Sequence, residues 1–129
     1  MKAAAAAAPD ALQAVRACYG AALLCAPGPM IRRCTGRPPG PAARRLARVL
    51  GARHLIQAAL TAGAGPGSAR LTVGAAVDLA HAASMACVTA ASQTLGRATL
   101  TDAVLETALA AAGLAAARGR PVRPPAALG

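Results

Sequence analysis

The chain has 129 residues, room for one domain, with 56% hydrophobic letters and a formal net charge of +10. That hydrophobic share is mostly 40 alanines: Leu, Ile and Val together number 24, and Phe and Trp are absent. A thick aqueous core is therefore excluded, because Ala buries little apolar area, and a single aromatic, Tyr19, gives no stacking platform that would make nucleic acid an expected partner.

Residues 1–9 read as a disordered N-terminal segment, and Pro9, Asp10 and Arg16 interrupt any apolar run of signal-peptide type. Asp10 with Gln13 three positions on is a capping-box pattern, so a first helix is predicted from about Ala11 to Cys25. Pro27-Gly28-Pro29 stops it, and a basic connector from Ile31 to Gly40 carries Arg32, Arg33 and Arg37. Pro41 suits a first helical turn and opens a second helix running to Thr61. Gly63 to Ser68 is a turn by composition. A third helix is predicted from Ala69 to Thr94. Thr99 with Asp102 gives a second cap signature, opening a fourth helix from Leu100 to Ala117. The segment 118–129, with Pro121, Pro124 and Pro125, reads as a disordered Pro/Arg tail. Residues 10–117 thus make a single all-α, four-helix domain.

Helices of this length match a bilayer core of about 30 Å, and short connectors fit either a four-helix transmembrane bundle or a soluble Ala-rich four-helix bundle. Two features favour the membrane. The first, third and fourth helices lack the strongly charged outer face of a soluble helix, and their charges fall inside the most structured stripe. At 100° per residue the stripes are Leu12, Val15, Arg16, Tyr19 and Leu23; then Leu46, Val49, Leu50, Arg53, Gln57 and Leu60; then Leu71, Gly74, Asp78, His81 and Met85. On the fourth helix Asp102, Leu105, Glu106, Leu109 and Gly113 share a face.

Asp10 and Asp102 read as helix-start acids, favoured by the positive end of the helix dipole. Asp78 and Glu106 then remain as interior acids against Arg16 and Arg53 as interior bases. Buried charges persist only when paired, so an Arg16/Arg53/Asp78/Glu106 network is predicted, with His54, Gln57 and His81 at its margin. Such a network either fixes helix register or serves a ligand or proton-relay role. Asp78 and His81 share a face at i, i+3 and His54 could add a third ligand, but D-x-x-H is frequent by chance. No metal site and no cofactor is assigned. Cys18, Cys25, Cys34 and Cys87 show no zinc-like spacing and read as free thiols.

The segment Arg48-Val49-Leu50-Gly51-Ala52-Arg53-His54-Leu55, followed by Gly74-Ala75-Ala76-Val77-Asp78-Leu79-Ala80-His81, resembles a family of small bacterial membrane proteins. These have four predicted spans, with G-x-R-H on the second helix and D-x-x-H on the third. The resemblance covers about residues 11 to 116, although only these two segments are specific. Its matching positions are Gly51, Arg53, His54, Asp78 and His81. It implies an architecture and no activity.

The expected function is that of a non-enzymatic, multi-pass protein of the cytoplasmic membrane. Its partners would be the lipid bilayer and either further copies of itself or another membrane protein. No nucleophile–base pair, G-x-S-x-G elbow or phosphate-binding glycine loop occurs, so no catalytic residue is named. Two alternatives stand beside this reading: a small membrane enzyme or transporter subunit using Asp78, His81, Arg53 and Glu106, and a soluble basic helical binding protein. By the positive-inside rule the basic connector faces the cytoplasm, which puts both termini outside.

Overall fold

A computed structural model describes residues 2–65, 67–91 and 96–118, with side chains for 10–65, 67–91 and 99–118. Among these residues there are five helices and no strand: α1 Lys2–Cys25, α2 Pro27–Thr35, α3 Pro41–Thr61, α4 Ala69–Ala91 and α5 Gly96–Arg118. The end of the third predicted helix, near Thr94, and the tail after Arg118 lie outside the described residues.

α3 begins and ends where the sequence places it, after an extended Gly40 and at Pro41. α4 likewise starts at Ala69 as expected, whereas the starts of the first and last helices differ. α1 reaches back to Lys2, so Asp10 lies exposed inside it and caps nothing; a run of alanines, the best helix formers, carries the helix upstream of the acid. α5 starts at Gly96, which leaves Thr99 and Asp102 within its opening turns. The basic connector also contains a helix of its own. Ala26 leaves helical geometry at φ −132 and ψ 51, as a residue before proline tends to, and α1 ends. Pro27 then opens α2, where a missing N–H costs nothing because first-turn N–H groups have no partner within the helix. Gly36, at φ 72, closes α2 in the left-handed region, its N–H donating to the Arg32 carbonyl at 2.8 Å. α2 is turned 98° from the Asp10–Cys25 part of α1.

The four longer helices form two close pairs, α1 with α3 and α4 with α5. In the first, Gly20 and Gly51 bring the backbones together. A Cβ at Gly51 would lie 2.6 Å from the Gly20 carbonyl oxygen and 2.7 Å from the Leu24 nitrogen. In the second, Gly113 of α5 packs against Leu71 and Ala75 of α4, and Ala82 of α4 with Ala103, Leu109 and Ala110 of α5 are also buried. Between the pairs the helices stand apart. Among the described residues, no Cα of α1 comes within 8 Å of α4, and none of α3 within 8 Å of α5. α3 and α4, neighbours in sequence and expected to pack closely, touch far less than either pair.

Only part of the stripe expected on α3, chiefly Gln57, lies on the face it buries. Leu46, Val49 and Leu60 are 66–68% exposed, whereas Ala47, Gly51, His54, Gln57, Ala58 and Thr61 are buried. Val15 of α1 is likewise exposed, and Gln13 and Gly20 are buried in its place. Small residues let the helix axes approach, and that close contact selects the buried face. α4, with mean hydropathy 1.5, and residues Thr99–Arg118 of α5, with 1.4, are long and apolar enough to cross a membrane.

Candidate functional site: a charged seam between two helix pairs

The gap between the pairs is bridged by long polar side chains. Asp78 of α4, fully buried, accepts from Arg16 of α1 through Oδ2. Its Oδ1 accepts from Arg53 Nη2 at 3.1 Å and Gln57 Nε2 at 2.8 Å, both on α3. Arg53 also donates through Nη1 to Glu106 Oε1 of α5 at 2.6 Å, so one guanidinium joins both interior acids. Gln57 Nε2 reaches the Gly74 carbonyl at 2.9 Å as well. Gly74 belongs there because a Cβ would press on that amide at 3.3 Å. Toward the turn after α3, the Thr61 hydroxyl lies 2.6 Å from Gln13 Oε1, and Arg16 Nη1 donates to the same oxygen at 3.0 Å.

A second cluster adjoins the first on the side of α2. The Tyr19 hydroxyl donates to Asp102 Oδ1 at 2.9 Å, and His81 Nε2 lies 2.9 Å from Asp102 Oδ2. His54 is fully buried, its ring set edge-on to Tyr19 with centroids 5.1 Å apart. Its Nε2 approaches Glu106 Oε1 at 3.0 Å without hydrogen-bond alignment, and neither ring nitrogen has a hydrogen-bond partner.

Arg16, Arg53, Asp78 and Glu106 therefore lie together, with Gln57 inside the same network. His54 is at the centre of the second cluster, where the sequence had put it at the margin, and His81 meets Asp102 instead of Asp78. The reading of Asp102 as a helix-start acid is corrected by its position in the second turn of α5, buried against Tyr19 and His81. Gln13, read as a capping partner, is buried in the seam. Asp102 could have been found from its spacing, since it shares a face with Glu106 one turn on. Tyr19 lies in the α1 stripe with Arg16, whereas Gln13 and Thr61 carry no comparable signal.

In a low-dielectric interior these charges are tolerable only because each carboxylate meets a cation or several donors. The seam can hold charge, relay a proton or bind a cation. Cys18, Cys25 and Cys87 are exposed and Cys34 is half-buried, and none of the four contributes to it. Compared with family models, curated proteins and solved structures, the chain matches none.

Proposed function

We propose that the chain is a small multi-pass protein of the cytoplasmic membrane, non-enzymatic, in which α1, α3, α4 and α5 cross the bilayer and α2 lies along its inner surface. The observation that carries this reading is an inverted polarity. Arg16, His54, Asp78 and Glu106 are at most 2% exposed, while Leu46, Val49, Ile56, Leu60, Val73 and Val104 are 60–68% exposed. Water would favour the reverse arrangement. Lipid favours this one, because acyl chains solvate large aliphatics and leave charges to pair inside the bundle.

α3 is the hardest helix to place, since it carries four arginines. Arg44, Arg45 and Arg48 are exposed in its opening turns, beside α2 with Arg32 and Arg33, where long side chains reach an interface. Arg53 alone lies deep, and two acids neutralise it. α1, with 24 residues, is about 36 Å long, enough for a core of about 30 Å. A helix turned 98° from α1 would lie in the membrane plane, its arginines among anionic headgroups.

Carbonate extraction of the tagged protein tests the solvent: it should stay with the membrane pellet and leave only in detergent, and release by carbonate would overturn the reading. Reporter fusions test the orientation. Arg32, Arg33, Arg37, Arg44, Arg45 and Arg48 gather at one end, so a C-terminal reporter should be active only on the outside.

A further inference from the structure

We propose that His54, Asp102 and Glu106 form a binding site for a first-row divalent transition-metal ion, with zinc the best chemical match. The three residues are buried, and one ligating atom from each lies within 4.8 Å of the others. Tetrahedral ligands at about 2.0–2.2 Å from zinc stand about 3.4 Å apart, so the cluster closes on a cation with side-chain shifts of up to about 1 Å. An imidazole with two carboxylates is a borderline donor set suited to zinc.

A second observation points the same way. His54 Nδ1 and Glu106 Oε2 are buried without any hydrogen-bond partner, and His54 Nε2 has only a poorly aligned 3.0 Å approach to Glu106 Oε1. Buried polar atoms are rarely left so, and these belong to two of the three ligands. The surroundings also hold the carboxylates in place: Tyr19 and His81 bond the two oxygens of Asp102, and Arg53 takes Oε1 of Glu106, leaving Oε2 free. Such outer partners orient metal ligands. Asp102 and Glu106 sit one turn apart on one face of α5, so the helix itself sets their spacing. Finally, Asp78, Asp102 and Glu106 set three carboxylates against the two guanidinium groups of Arg16 and Arg53 among the described seam residues. Asp78 lies outside this group of three and faces two guanidinium groups, which would repel a cation. The site stands whether or not the helices cross a bilayer.

The test is titration of the full chain, purified in detergent and stripped with a chelator, with Co²⁺ as a spectroscopic probe for zinc. The expected result is one Co²⁺ per chain, with d–d bands of nitrogen and oxygen ligation, no thiolate charge-transfer band, and a higher unfolding temperature. A variant with all four cysteines changed to serine should bind equally well. His54→Ala should weaken binding by about 100-fold or more, and His81→Gln, acting through Asp102, by about 10–100-fold. His54 makes no hydrogen bond in the seam, so His54→Ala tests the site even where Glu106→Gln fails to fold. Unchanged affinity in folded His54→Ala, a thiolate band, or no binding by the folded wild type would each overturn the proposal.

Discussion

Where α1 crosses α3, Gly20 and Gly51 let two backbones touch, and the Thr61–Gln13 hydrogen bond joins the same pair farther along. Where that pair meets α4 and α5, most of the facing backbones stay apart, and Arg16, Arg53, Gln57 and Tyr19 reach across to three acids. The first contact is short-range packing, which gains most from the smallest residues. The second is directional and charged, so it fixes which helix pairs with which and at what depth. An Ala-rich bundle has few large side chains to specify a register by shape. The seam supplies that specificity electrostatically.

The largest effect should come from breaking the seam at its hub. Asp78→Ala leaves Arg16 buried with no acid and should cost about 3–5 kcal/mol. Arg16→Leu with Asp78→Leu should be milder than Asp78→Ala, because Arg53 keeps Glu106. Thermal unfolding in detergent measures both, and equal losses would mean that charge pairing does not govern the seam.

Breaking the packed crossing should cost somewhat less. Gly51→Ala forces a Cβ against backbone atoms that cannot give way, for a loss of about 1–3 kcal/mol. Gly113→Ala meets the Ala75 methyl at 3.3 Å and the Leu71 carbonyl oxygen at an ordinary 3.6 Å, so the gain of about 0.8–1.0 kcal/mol in helix propensity should offset most of its cost. If the two variants unfold at the same temperature, the α1/α3 crossing is not the tighter contact.

Tyr19→Phe removes one charge-assisted hydrogen bond at the edge of the seam and should cost about 1.5 kcal/mol. The same unfolding assay reads it, and a neutral result would confine the seam to the Asp78 and Glu106 side. The smallest change belongs to a residue in neither contact. Val73→Ala, 62% exposed, should stay within about 0.5 kcal/mol of wild type.

Much of the candidate site was legible in the stripes. Arg16, Arg53, Asp78 and Glu106 each share a helix face with buried positions, and simple angular placement finds that. Asp102 was obscured because an acid near a helix start has an ordinary explanation in the dipole. His54 was underrated because its face of α3 lacks large aliphatics, the usual mark of burial.

Local chemistry written in the sequence determined where α1 ends and where α3 begins. Pro41 and its preceding glycine open α3, and Ala26 before Pro27 ends α1, because these residues restrict the backbone wherever they occur. Only the tertiary structure decided which face of each helix turns inward. Periodicity reveals a stripe, but the same helix can bury its large residues or its small ones. Gly20 against Gly51 settles that choice for α1 and α3: once two backbones approach that closely, Leu46, Val49 and Leu60 must point away, and His54 must point in.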